Sequence, residues 1–273
     1  MSCSLFMAPA FKRHKRYIAP MSAFTTEYVR EWNAALLDVM SMPCMKPHLG
    51  DVGRKILGGA SRNTRYLSRC VEGANNISMH SLHYAMRFSE SNQFLSDKIS
   101  SGTTRSFVDL GAGLSPLSAA IQTEYNMNNV YIIDDPVIMD AYVRTAELVG
   151  GRVPTPITWD QAKEMSMQHN LDTIVAMGVF HYMPRTEQIE RMKFINSYVP
   201  NFLLEIKYDN SDSADNNSFN LHQLQSLRLL VNSTHTMETA IIKNSLRYIS
   251  RFIHAMPDRR YFLEKSRSLF LSR

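Results

Sequence analysis

The sequence predicts an α/β protein built on a mostly parallel sheet, and three observations carry that expectation. Phe107, Val108 and Leu110 form a short apolar run that passes directly into Gly111-Ala112-Gly113, after which Ser115-Pro116 opens a helix. A second apolar run, Val130 to Ile133, ends in Asp134-Asp135 about 20 residues beyond the glycines. Strand-like and helix-like segments then alternate as far as Ile206, and strands separated by helical crossovers pair in parallel.

The individual elements follow from periodicity and from turn chemistry. Thr155 to Thr158 reads as a short third strand, Gln161 to Gln168 as a helix and Thr173 to Met177 as a fourth strand. Glu187 to Tyr198 reads as a helix and Phe202 to Ile206 as a fifth strand. A polar loop over Asp209 to Ser218 precedes a helix that places Leu221, Leu224, Leu227 and Leu230 on one face. Arg247 to Ile253 and Arg260 to Leu263 flank Met256-Pro257-Asp258, the pattern of a terminal antiparallel hairpin, which brings the expected sheet to seven strands.

The first third of the chain is organised differently. Thr25 or Thr26 caps a helix with Val29, Trp32, Leu36 and Met40 on one face, and Pro43 stops it. Further helices are expected over residues 52–71 and 80–99. The expected division is a basic tail over residues 1–20, a helical extension or cap over 21–103 and a ligand-binding domain over 104–273.

Composition excludes several classes. Of the 273 residues, 44% are hydrophobic and 20% charged, values of an ordinary globular protein, and no apolar run reaches the length of a membrane span. The three cysteines, Cys3, Cys44 and Cys70, are odd in number and lack metal-ligand spacing, which supports neither a disulfide framework nor a metal site and makes a reducing, cytoplasmic setting the default. The net charge of +5, with Lys12, Arg13, Lys15 and Arg16 clustered near the start, permits attraction to phosphate, so RNA stays among the partners considered. A short basic run ahead of the folded part is also the mark of a solvated tail. The oligomeric state has no signal in the sequence.

The glycine turn is where chemistry is expected. Gly111 and Gly113 let the backbone turn tightly and approach a ligand, and the helix start behind them favours a polar or negatively charged group. In a Rossmann-like sheet an acid such as Asp134 at the end of the second strand reaches ribose hydroxyls. Pro116 replaces the third glycine of GxGxxG, which weakens a dinucleotide reading.

Val108-Asp-Leu-Gly-Ala-Gly113, Tyr131-Ile-Ile-Asp134 and Leu171 to Tyr182 together resemble the class I methyltransferases that use S-adenosyl-L-methionine (SAM). The resemblance runs from Arg105 to the C-terminus. It implies a SAM-dependent methyltransferase with Asp109, Gly111, Ala112 and Gly113 under the methionine part of the cofactor and Asp134, followed by Asp135, at the ribose. It further implies Trp159 and Asp160 beside the adenine, and Met177 and Gly178 at the end of the fourth strand. An N-terminal helical unit that covers the cofactor and shapes the acceptor pocket is implied as well, with completion of the core as the competing role of those helices.

Two subfamilies compete for the acceptor. Gly113-Leu-Ser-Pro116 with Tyr131 to Pro136 is similar to the leucine carboxyl methyltransferase superfamily and its polyketide O-methyltransferases, although Leu117 stands where those members carry Arg, which weighs against carboxyl methylation. Gly113-Leu-Ser-Pro-Leu117 is similar to the turn of the aminoglycoside-resistance 16S rRNA methyltransferases. Met177 to Tyr182 favours the first, so the expected reaction is transfer to an oxygen of a small-molecule acceptor, with an rRNA N-methyltransferase as the alternative. A SAM-fold binding module without catalysis is the third reading, because fold does not fix chemistry. His181 and Tyr182, just past the fourth strand, are the expected acceptor-side residues, with His181 as candidate general base; packing of the first turn after the strand is the competing role. Glu205 and Lys207 are either pocket groups or a solvated pair.

Overall fold

Short, largely apolar segments, buried along their whole length in the central strands, bring six strands into one sheet in the computed structural model, which describes residues 26–45, 50–71, 79–207 and 268–272. The strands are β1 (Ser106–Leu110), β2 (Asn129–Ile133), β3 (Thr155–Pro156), β4 (Thr173–Ala176), β5 (Asn201–Lys207) and β6 (Ser268–Ser272). Their spatial order is β3-β2-β1-β4-β5-β6, with the first five parallel and β6 antiparallel to β5, Leu204 opposite Leu271. The chain moves outward from β1 to β3 and then returns to β4 on the other side of β1. That reversal opens a crevice at the carboxyl ends of β1 and β4, where ligands bind in sheets of this kind.

The helices are α1 (Thr26–Ser41), α2 (Asp51–Val71), α3 (Met79–Ser100), α4 (Leu117–Glu124), α5 (Pro136–Val149), α6 (Trp159–Met167) and α7 (Arg185–Tyr198). Successive residues of β1 serve opposite faces of the sheet, as the two-residue period of a strand demands. Val108 and Leu110 pack with Ile174, Phe180, Met192 and Phe202, while Phe107 packs with Leu117, Ile121, Val175 and Leu203. On the second face Trp32 of α1 meets Tyr142 of α5 edge to face, ring centroids 5.0 Å apart. The apolar stripe of α1 is Val29, Trp32, Leu36 and Val39; Met40 is only half-buried.

Cap chemistry explains where several boundaries fall. Thr158 and Gln161 form a reciprocal capping box, so α6 starts at Trp159, two residues ahead of the sequence expectation. β3 is correspondingly shorter than expected, Thr155–Pro156. The helix α5, left unassigned in the sequence, is framed by Asp135, which accepts from the Val137 N–H at 2.9 Å, by Pro136 in its first turn and by Gly150 at φ 75° behind it.

The antiparallel partner of β5 is Ser268–Ser272, a segment to which the sequence reading gave no strand. The expected hairpin over 247–263, the helix over 221–230, the polar loop over 209–218 and the basic tail lie outside the described residues. Among the described residues no helix is long and apolar enough to cross a membrane.

Candidate active site

The glycine turn is held from below by Asp134. Gly111 leaves β1 at φ 75° and donates its N–H to the Ile133 carbonyl at 2.7 Å; Gly113, at φ 58°, donates to Asp134 Oδ2 at 2.7 Å. The other oxygen, Asp134 Oδ1, accepts from the Asp135 N–H at 2.7 Å. Each carboxylate oxygen has a second acceptor site, so Asp134 retains capacity for hydroxyl donors. Burial raises the Asp134 pKa, the backbone donors Gly113 and Asp135 oppose the rise, and the Asp135 charge adds to it.

Asp109 points from β1 to α4, where Ser118 Oγ donates to its Oδ2 at 2.8 Å. Burial pushes this carboxyl up to about 7; the Ser118 bond works against the rise and the nearby Asp134 works with it. An acid that titrates near neutrality lies beside the turn. Such a group is poised to ionise when a positive charge arrives.

The N-terminal helices grip the same turn from above. The Leu114 carbonyl accepts from Trp32 Nε1 of α1 and from Thr64 Oγ1 of α2, each at 2.9 Å. Tyr84 of α3 hydrogen-bonds Ser115 and Thr64, and burial pushes its hydroxyl up to about 12. Arg87 of α3 places Nε 2.6 Å from Glu205 Oε2 on β5, and Glu205 is wholly buried. Arg87 Nη2 also lies 3.4 Å from His181 Nδ1. A guanidinium only donates, so Nδ1 is the accepting nitrogen in that contact.

Glycine is required where these parts converge. A Cβ on Gly111 would stand 2.3 Å from Val179 Cβ, and one on Gly178, at φ 76°, would stand 2.9 Å from Arg87 Nη1. Gly113 meets nothing within 4 Å. Its open side faces a cleft of about 840 Å³ that lies between the sheet's carboxyl edge and the faces of α2 and α3. That volume falls within the range of roughly 300–1,000 Å³ typical of small-molecule sites.

Of the residues expected from the sequence, Asp109, Gly111, Ala112, Gly113 and Asp134 line this cleft, and so do Met177, Gly178 and Tyr182. Tyr182 stands at its mouth, 83% exposed. Four others do not line it. Asp135 serves as the cap of α5, and His181 sits behind Arg87. Trp159 packs edge to face on Phe194 with Arg191 over its ring at 4.8 Å, and Asp160 pairs with Lys163 at 2.7 Å in solvent. Glu205 is neither a pocket group nor a solvated one: it anchors Arg87.

Several cleft residues escaped sequence reasoning. Lys55, Gly59, Arg62 and Tyr66 recur at helical spacing along α2 and line one wall, a polar stripe legible in principle from its period. Arg87 and Tyr84 carry no such signal, since their roles depend on partners far along the chain. Among the described residues no group of three potential metal ligands occurs.

No protein-family model matches this sequence, and no curated protein sequence is significantly similar to it. Solved structures with a related arrangement exist. A magnesium protoporphyrin IX methyltransferase from Synechocystis with bound S-adenosylhomocysteine (SAH) is 13% identical over 71% of this chain and 85% of its own, at a TM-score of 0.45. The plantazolicin methyltransferase BamL, in complex with a desmethyl-plantazolicin analogue and SAH, is 14% identical over 91% of this chain and 97% of its own, at a TM-score of 0.45. The mitomycin 7-O-methyltransferase MmcR is 10% identical over 94% of this chain and 73% of its own, at a TM-score of 0.42.

Proposed function

We propose that this protein is a SAM-dependent methyltransferase that transfers a methyl group to an oxygen of a small-molecule acceptor. The observation that carries the reading is the convergence of the Gly111-Ala112-Gly113 turn, the Asp134 carboxylate and the near-neutral Asp109 on one cleft at the β1–β4 reversal. The residues fit the cofactor chemically. Asp134 has acceptor capacity for sugar hydroxyls, Gly113 leaves room for close backbone approach, and Asp109 can ionise to meet a positive charge. Trp159 and Asp160, the adenine-side residues implied by the resemblance, do not line the cleft, pack or pair with Phe194, Arg191 and Lys163 instead, and are given no cofactor role in this reading.

The residues 21–103 act, in this reading, as the cap over cofactor and acceptor. The bonds from Trp32 and Thr64 to Leu114 and the α2 and α3 walls of the cleft support that role. SAM, once bound, would supply a sulfonium methyl group to the acceptor oxygen, the sulfur keeping the electron pair of the broken S–C bond and the hydroxyl proton leaving to solvent at the cleft mouth beside Tyr182. The chain's contribution is alignment and the exclusion of competing nucleophiles from an enclosed site. We assign His181 to positioning rather than to proton abstraction, because the lone pair of its Nδ1 already accepts from Arg87 Nη2 and the ring does not line the cleft.

The similarity to polyketide-type O-methyltransferases in the leucine carboxyl methyltransferase superfamily is retained as the finer proposal. Isothermal titration with SAM and SAH is the deciding experiment. Binding of both supports the enzyme; failure of both to bind removes it.

A further inference from the structure

The charges that line the cleft are segregated. Both acids, Asp109 and Asp134, belong to the sheet edge and the glycine turn, whereas Lys55 and Arg62 stand on the opposite α2 wall. Arg87, the other cation of the lining, is held by Glu205. Lys55 and Arg62 form no ion pair with any described residue. They lie seven residues apart, which places them about 10 Å apart along the helix on one face. Between them sits Gly59, also in the lining, with no atom within 4 Å of the position its Cβ would take. Glycine inside a helix is a poor helix former, and no neighbouring protein atom requires its small size here. The space it leaves belongs to the cleft.

From the two cations that no described residue pairs and the open saddle at Gly59, we propose that the methyl acceptor is a small organic anion that lies across Gly59 with a carboxylate or phosphate group held by Lys55 and Arg62. The proposal rests on the methyltransferase reading of the same cleft and adds the acceptor's chemical class. The anionic group is a handle distinct from the oxygen that takes the methyl group, because the cations stand on the wall facing the glycine turn. The methylated product therefore keeps its negative charge.

The test uses the full-length protein, SAM carrying a tritiated methyl group and a small-molecule extract as acceptor source, with 30S ribosomal subunits assayed in parallel. The products are separated by anion exchange, and phosphatase treatment of the retained label distinguishes a phosphate from a carboxylate handle. Label in the retained fraction is expected, and the Lys55→Gln/Arg62→Gln double variant should lower that labelling about tenfold or more while binding SAH as the parent does. The Lys55→Arg/Arg62→Lys variant should restore most of it. Label only in unretained product, label in RNA, or an unchanged rate in the Gln variant would overturn the proposal. Absence of label in a protein shown to bind SAM would also count against it. Absence of SAM and SAH binding is a different failure, that of the methyltransferase reading itself.

Discussion

Arg87 Nε lies 2.6 Å from Glu205 Oε2, and this ion pair joins the N-terminal helix α3 to β5, next to the sheet's antiparallel edge strand, beside Gly178. Glu205 is fully enclosed, so the pair matters less for its net energy than for what either partner would cost alone. Arg87→Met, which leaves the Glu205 carboxylate buried without its cation, is expected to lose about 3–5 kcal/mol of stability. The double variant Arg87→Met/Glu205→Leu should recover most of that loss. Urea denaturation of the four proteins in the cycle gives the coupling, and additive single effects would show that the pair does not act as a unit.

Asp109 predicts a pH dependence with a defined sign. Its folded-state value of about 7 stands above the ordinary 3.8, so the native protein holds an extra proton between those limits. Stability contributed through this group is therefore greatest at low pH, declines as pH rises through the window and levels off above about 7. Asp109→Asn should flatten that decline in denaturation curves recorded from about pH 5 to 8. Binding of a cationic ligand favours the ionised carboxylate, so SAM affinity should rise with pH up to neutrality, and more steeply than that of SAH. A pH-independent affinity would remove Asp109 from the site.

The glycines of the turn are expected to differ. Gly113→Ala meets no steric obstacle and should cost about 1–2 kcal/mol from its left-handed backbone alone. Gly111→Ala adds an overlap with Val179 and should cost about 1–3 kcal/mol more. Gly113→Ala should nevertheless weaken SAH binding, because its methyl group enters the cleft. Thermal melts with and without SAH separate the two effects; equal destabilisation by the two substitutions would contradict the geometry of the turn.

Asp134 and Asp160 are both acids placed after strands, yet only Asp134 lines the cleft. Asp134→Lys should abolish SAH binding in a protein that remains folded, and Asp134→Asn should weaken it about tenfold or more. Asp160→Ala should leave the affinity unchanged. Calorimetric titration reads all three, and a loss of binding in Asp160→Ala would return that residue to the cofactor site.

His181 provides a kinetic test of the positioning role. General base catalysis contributes about 10²- to 10⁴-fold, so His181→Asn should reduce kcat/KM less than about tenfold if proton abstraction is not its task. The pH–rate profile should keep its shape. A loss of a hundredfold together with a missing acidic limb would identify a general base.

The strands from Phe107 to Ile206 and the helices between them other than α5 were legible in the sequence, because short apolar runs, helix periodicity and the Gly111-Ala112-Gly113 turn are local properties. The Asp134 position followed from the same spacing. Local pattern could not show that the Leu114 carbonyl is shared by Trp32, 82 residues away, and Thr64, or that Arg87 meets His181 across 94 residues. Nor could it pair Ser268–Ser272 with β5 or turn Trp159 toward Phe194 and Arg191. The residue pattern by itself determined strands β1 to β5, the described helices other than α5 and where the glycine turn falls. Packing of distant segments decided which side chains enclose the cleft, because a buried charge or carbonyl takes whatever partner the fold delivers to it.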